Sequence, residues 1–338
     1  MPNKIPVTII TGFLGSGKTT LLNRLLNDAD SRKTAVIVNE FGEIGLDHEL
    51  IESSNDFVTL LANGCLCCSI KGDLVNTLLD LYQKQLRGLI PRFDQVVIET
   101  SGLAEPSPII EVLVAEPKVQ SVYGLGQVVA TVDSVNGLET INRFDQSVKQ
   151  VALADKIVVT KTDLIPICVG LEEELRRINP QAVQCHANEV TFEWFDRQKG
   201  AANLTIDLAN ATEREYEAQS KHSAGHNHNI HRFSYVQEKP WDLDTFRLFT
   251  EGLAANAGPD LLRIKGLINI LDAPGTPAVV HGAQQLVHSI EWLKEWPSAD
   301  HRTRLVFITF NKPAAEIIEL IEYIESFAQR TKLARQVA

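Results

Sequence analysis

At 338 residues, with 44% hydrophobic and 22% charged side chains, the chain has the composition of a globular protein large enough for two domains, with disorder confined to local stretches. A formal net charge of -11 argues against wrapping nucleic acid or an anionic membrane, which needs clustered Lys and Arg against phosphate, and points to small-molecule and protein partners. The apolar run in MPNKIPVTIITGF is too short for a signal segment or a membrane span, and five cysteines, three of them within four positions, do not make a secreted disulfide framework. A reducing, cytoplasmic setting is expected.

In chain order, Pro6–Ile10, Thr34–Val38, Phe57–Leu60, Gln95–Glu99, Gln127–Val132 and Lys156–Thr160 read as buried strands. Between them lie amphipathic segments such as Thr19–Leu26 and Leu74–Leu86. Strand and helix in alternation predict an α/β fold: a doubly wound, mostly parallel sheet covered on both faces, with binding loops at the carboxyl ends of its strands. The polar, His-bearing stretch within 207–229 cannot bury a face and reads as a linker between a nucleotide-binding domain, 1–206, and a smaller α+β domain, 230–338. In the latter, Ile230–Val236, Leu261–Leu271, Ala278–His288 and Arg304–Phe310 read as strands. Asp242–Ala255, opened by an Asp cap, and Pro313–Gln329 read as helices packed on one face of an antiparallel sheet.

The first chemical signal is Gly12-Phe13-Leu14-Gly15-Ser16-Gly17-Lys18-Thr19, with Thr20 following, set between a strand and a helix. This G-x-x-x-x-G-K-T pattern in that context is a phosphate loop. Its glycines let backbone N–H groups close around a β-phosphate, Lys18 can reach the β- and γ-phosphates, and Thr19 offers its hydroxyl to Mg²⁺. The strand ending at Glu99 is followed by Gly102, an arrangement that can place a carboxylate near Mg²⁺ and a backbone N–H near a γ-phosphate. In Thr160-Lys161-Thr162-Asp163, Asp163 can accept two hydrogen bonds from guanine N1 and N2, donors that adenine lacks, and so favours GTP over ATP. The tetrapeptide resembles the base-reading element of GTPases, with Thr160 where many have Asn.

Between the phosphate loop and Glu99 stand NEFGEIGLDHEL and then Cys65-Leu66-Cys67-Cys68. This interval is where switch GTPases place segments that order around the γ-phosphate. A disulfide between Cys65 and Cys67, or between the adjacent Cys67 and Cys68, would be strained, so thiolate metal ligation is the better reading. A closed zinc site takes four ligands; three thiols at most must borrow a ligand or leave a position open. Thiolate softness suits Zn²⁺ or Cu(I), with Co²⁺ and Ni²⁺ also accommodated.

Taken together, GFLGSGKTT, NEFGEIGLDH, GCLCC, VIETSGLAEP and TKTD, with a His-bearing stretch before a second domain, resemble the CobW family of GTPase metallochaperones over essentially the whole chain. The resemblance implies a GTPase whose thiolates Cys65, Cys67 and Cys68 hold a metal ion and pass it to a client apoprotein on GTP hydrolysis. The zinc-delivering members are the nearest analogues, and others are associated with cobalt or nickel. It carries nucleotide binding to Gly12 through Thr19, Lys161 and Asp163, and makes Glu43 an oxygen and His48 a nitrogen candidate for the missing ligand, each equally readable as a solvated loop residue. Some relatives carry an acid at the place of Val38, which here can bind no metal. Glu40 and Asp47 are the candidates for orienting the attacking water; a client or a homodimer partner could complete the site.

His222, His226, His228 and His231 fall within ten positions and read either as a weak metal-collecting segment or as a polar linker. Cys168 and Cys185 are expected to be small, partly buried residues without chemistry, and Trp241, Trp292 and Trp296 to serve core or edge packing. Two other readings stay open: a metal-responsive GTPase switch or cobalt/nickel insertion factor without zinc delivery, and a P-loop kinase or ligase, which Asp163 argues against.

Overall fold

The computed structural model describes residues 4–26, 33–39, 58–61, 69–191, 230–283, 286–287 and 291–337. The chain divides into two compact units, Met1–Lys199 and Gly200–Ala338. The expected linker, 207–229, lies outside the described residues.

The first unit runs β1 (Ile5–Gly12), α1 (Lys18–Leu26), β2 (Thr34–Asn39), β3 (Val58–Leu61), α2 (Ser69–Leu86), β4 (Gln95–Glu99), α3 (Ser107–Ala115), α4 (Pro117–Gln120), β5 (Tyr123–Asp133), α5 (Gly137–Arg143), α6 (Asp145–Leu153), β6 (Lys156–Thr160), α7 (Val169–Ile178) and β7 (Val183–His186). Its seven strands lie in the order β3-β2-β4-β1-β5-β6-β7, every neighbouring pair parallel. Parallel strands covered on both faces carry unbroken apolar runs, as in KIVVT of β6, where all five residues are buried. One face packs against α1 through Leu21, Leu22 and Leu25, which meet Ile10, Val36, Val97, Val129 and Val158. The central strand β1 lies between β4 and β5, and the register sets Ile10 beside Glu99, Gly12 beside Thr131 and Asp133 beside Thr160. The carboxyl ends of β1, β4, β5 and β6 therefore open onto one edge, where sheets of this kind bind ligands.

In the first unit most boundaries agree with the sequence expectation to within one or two residues, and two shift further for physical reasons. Strand β5 begins at Tyr123, not Gln127: Gly124 and Gly126 weaken the β signal, yet a Cβ at Gly126 would stand 3.0 Å from the Val7 carbonyl oxygen, so glycine is what lets the two backbones approach. Helix α2 starts at Ser69, not Leu74, because its first turn is too polar to register as amphipathic.

The second unit runs β8 (Ile230–Gln237), α8 (Leu243–Ala257), β9 (Leu261–Ile268), β10 (Ala278–Ala283), β11 (Leu286–Val287), β12 (Glu291–Trp292), β13 (Thr303–Phe310) and α9 (Ala314–Val337). Its strands pair in the order β11-β10-β9-β13-β8, with β12 on β10, all antiparallel. Helices α8 and α9 lay Phe246, Phe249, Leu253, Ile317 and Ile321 onto Phe233, Ile264, Leu305 and Phe307 of the sheet. The Asp242 carboxylate caps α8 by accepting from the Thr245 N–H at 2.7 Å. The expected strand Leu261–Leu271 stops at Ile268, where the Asn269 N–H turns to the Thr303 hydroxyl. The expected strand Ala278–His288 is instead a hairpin of two strands, pairing Gly282 with Val287 and Ala283 with Leu286. Trp241 is buried and donates from Nε1 to Glu325 Oε1 at 2.6 Å, Trp292 is exposed on the edge strand β12, and Trp296 stacks on His301. No helix among the described residues is long and apolar enough to cross a membrane.

Candidate nucleotide site

The loop from β1 to α1 takes its shape from three glycines with positive φ, at Gly12, Gly15 and Gly17. Gly12 shows the constraint most clearly: a Cβ there would lie 2.4 Å from both the carbonyl oxygen and the hydroxyl of Thr131. The loop is pinned from two neighbouring strands, since the Ser16 and Thr131 hydroxyls are 2.6 Å apart and the Thr160 hydroxyl donates to the Ser16 carbonyl at 2.7 Å. Thr160 thus accounts for its own departure from the commoner Asn: its side chain ties the end of β6 to the phosphate loop.

Lys18 is buried, and its ammonium donates to the carbonyls of Gly12 at 2.9 Å and Phe13 at 3.1 Å. This holds a cation at the mouth of a loop whose N–H groups lie at a helix N-terminus, an arrangement suited to phosphate. Beside it, the Thr19 hydroxyl donates to Glu99 Oε1 at 2.6 Å. These two residues stand eighty apart in sequence and meet because β1 and β4 are parallel neighbours. Thr20 follows on the exposed side of α1.

After Glu99 the chain stays against the phosphate loop. The Thr100 N–H donates to the Ile10 carbonyl at 2.9 Å, and its hydroxyl to that of Thr11 at 3.0 Å. Gly102 approaches so closely that a Cβ on it would lie 2.6 Å from the Leu14 nitrogen. Phe13 stacks on Phe144, with centroids 4.6 Å apart, and Leu14 is exposed beside it.

On the far side, Lys161 adopts φ 57°, and its ammonium lies 3.4 Å from Asp133 Oδ2. The Ser134 hydroxyl donates to the Lys161 carbonyl at 2.9 Å, and the N–H groups of Leu164 and Ile165 fold back onto that same carbonyl. This turn leaves the Asp163 side chain exposed just beyond the carboxyl end of β6. Thr131, Asp133, Ser134 and Phe144 shape the site without having been singled out from the sequence. Asp133, an acid closing an apolar strand, carried the same kind of signal as Glu99; the others carried none.

Cys65, Cys67, Cys68, Glu43, His48, Glu40, Asp47, His222, His226 and His228 lie outside the described residues, as does any geometry of the metal set. His231 is a half-buried residue of β8. The two isolated cysteines differ from each other: Cys185 is half-buried, and burial, reinforced by Glu189, pushes its thiol up to about 12, which keeps it protonated and unreactive. Cys168 is exposed, contrary to the expectation of partial burial, because it stands at the N-cap of α7 rather than within a packed element.

A parallel sheet carrying this loop, with a strand-end carboxylate bonded to its threonine and the turn after β6 at the same edge, defines a P-loop GTPase. The family profile described as "CobW/HypB/UreG, nucleotide-binding domain" matches residues 6–186, and that of the "Cobalamin synthesis protein cobW C-terminal domain" matches residues 230–325. The chain belongs to the CobW/HypB/UreG family. It is 35% identical over 317 residues to the zinc chaperone YjiA of Escherichia coli K12, covering 93% of this chain and 97% of that protein. It is 30% identical over 308 residues to the zinc chaperone CobW of a Sinorhizobium species, covering 81% and 83% respectively. The crystal structure of Zn(II)-bound YjiA GTPase from E. coli superimposes with a TM-score of 0.69 at 30% identity, over 95% of this chain and 99% of that one.

Proposed function

We propose that the protein is a GTP-hydrolysing metal chaperone that holds zinc at Cys65, Cys67 and Cys68 and delivers it to a client apo-metalloprotein. The observation that carries this reading is the near end-to-end similarity to a zinc chaperone, 35% identity across 93% of the chain, in a sequence that carries Cys65, Cys67 and Cys68. The connectivity supports it. The Cys segment joins Leu61, at the end of β3, to Ser69, at the start of α2, and β3 ends on the same edge of the parallel sheet as β1 and β4.

In this reading residues 1–206 form the GTPase domain, 207–229 a His-bearing linker, and 230–338 the C-terminal domain. The backbone N–H groups of Gly12 through Thr20 surround the phosphates, and the Lys18 ammonium stabilises charge on the transferring phosphoryl group. The Gly102 N–H takes a γ-phosphate oxygen. The Asp163 carboxylate accepts from guanine N1 and N2, with Lys161 held beside it by Asp133. Thr19 Oγ1 and Glu99 Oε1, 2.6 Å apart at the loop mouth, are hard oxygen donors of the kind Mg²⁺ prefers, and these two residues would hold that ion. When bound, Mg²⁺ neutralises charge on the β- and γ-phosphates.

Zinc is cargo, with Glu43 or His48 as the further ligand, and Co²⁺ or Ni²⁺ could occupy the same thiolates. A homodimer partner or the client completes the hydrolytic site, in the cytoplasm where thiols stay reduced. Calorimetry tests the metal half of the proposal: Cys67→Ala should abolish tight zinc binding and leave GTP affinity within two-fold. Zinc binding of unchanged stoichiometry and affinity in that variant would defeat it.

A further inference from the structure

The loop after Glu99 is gripped on the side away from the phosphate loop. Gln150, in the second turn of α6, is 1% exposed. Its amide Nε2 donates to the carbonyl of Gly102 at 3.2 Å and to that of Ala104 at 2.9 Å. The preceding residue, Lys149, pairs with Glu105 at 2.7 Å. Two consecutive residues of one helix thus fix positions 102, 104 and 105, while the Ala104 N–H closes a turn onto the Ser101 carbonyl at 3.0 Å. Gly102 is held between the Gln150 amide and the Leu14 backbone, and α6 itself begins beside Phe144, which stacks on Phe13. One helix therefore touches both the phosphate loop and the segment that follows the carboxylate.

The Gln150 oxygen adds a second observation. Oε1 is buried and has no hydrogen-bond partner among the described residues. Buried side-chain acceptors without a protein partner are few in natural proteins, and each calls for an explanation. The acceptor belongs to the same amide group as the Nε2 that grips this loop, so a shift of the loop can bring one of its N–H groups within reach of Oε1.

We infer that Gln150 is a positioning residue for hydrolysis. It holds Gly102–Ala104 against the phosphate loop in one nucleotide state and exchanges its hydrogen bonds when the γ-phosphate is gained or lost, so that α6 follows the nucleotide. The inference rests on the reading of Gly102 as the γ-phosphate contact.

Gln150→Met keeps the side chain's length and removes both donor bonds, and Gln150→Glu keeps it while leaving at most the single O–H of a protonated carboxyl to donate. In the full chain, kcat for GTP should fall at least ten-fold in both variants. The ratio of affinities for a non-hydrolysable GTP analogue and for GDP should change at least five-fold, with GDP affinity held within two-fold. Tyr123→Phe, which deletes a buried hydrogen bond to the Leu78 carbonyl at the amino end of β5, serves as the control for a general loss of stability. Gln150 variants that move kcat and the affinity ratio no more than Tyr123→Phe does, or that weaken both nucleotides equally, overturn the inference. Should they fail to fold, amide exchange of residues 101–105 in the unaltered protein decides: a difference of at least five-fold between the GDP and analogue complexes supports it, and equal exchange refutes it. Absence of GTP hydrolysis in the unaltered protein would instead defeat the parent reading, and the inference with it.

Discussion

Gly102→Ala tests the hydrolytic geometry with a single methyl group. Gly102 does not need a left-handed backbone, so alanine brings no conformational strain, and its effect is steric. The new Cβ would stand 2.6 Å from the Leu14 nitrogen and 2.7 Å from Leu14 Cα. Both are main-chain atoms of the phosphate loop and cannot rotate away as a side chain could. Restoring an ordinary contact of about 3.5 Å requires the two segments to part by about 0.9 Å. A displacement of about 1 Å between reacting groups costs on the order of 10²-fold in rate, so kcat for GTP should fall by roughly that factor. On the proposed reading, GDP needs only the β-phosphate cradle of Gly12–Thr19, and its affinity should stay within about three-fold. Single-turnover hydrolysis, with fluorescent GDP and a non-hydrolysable analogue titrated in parallel, separates the two effects. A kcat within three-fold of the unaltered protein, or an equal loss of affinity for both nucleotides, would refute the reasoning.

On the proposed reading of Asp163 as the guanine acceptor, Asp163→Asn substitutes an amide that can accept from only one of N1 and N2; GTP affinity should drop at least 10²-fold while overall stability barely changes, as measured by nucleotide competition and thermal unfolding. The thiols make a separate prediction about pH. Burial raises the Cys185 pKa to about 12, so its neutral form persists and its thiolate fraction rises about ten-fold per pH unit up to that value. At pH 8, peptide mapping after iodoacetamide should find Cys168 alkylated well ahead of Cys185; equal rates would contradict the burial argument.

What the sequence made legible followed the physics of each element. The strands Gln95–Glu99 and Lys156–Thr160 were bounded correctly because unbroken β-branched runs have few other uses, and their order was enough to expect a parallel sheet. That sheet then explains why Thr19 and Glu99 meet: separate motifs at the ends of adjacent parallel strands arrive at one edge. The Leu261–Leu271 and Ala278–His288 readings overran because an apolar run does not show where a chain turns from one antiparallel strand into the next. Thr131 and Gln150 left no trace in the pattern. A hydroxyl in mid-strand and an amide in mid-helix look like any others until packing brings them to the phosphate loop and to Gly102. The proposed metal site was readable only as ligand chemistry, from thiols too close to pair with one another and too few to close a zinc site.

The central claim couples nucleotide hydrolysis to metal release, and radiozinc transfer tests it most directly. The protein is loaded with one equivalent of ⁶⁵Zn under reducing conditions and mixed with a candidate apo-metalloprotein, and transferred label is counted in the presence of GTP, GDP or a non-hydrolysable analogue. The account predicts movement to the client with GTP at least ten-fold faster than with the analogue, and loss of that advantage in Gly102→Ala. Equal transfer with GTP and the analogue would contradict it.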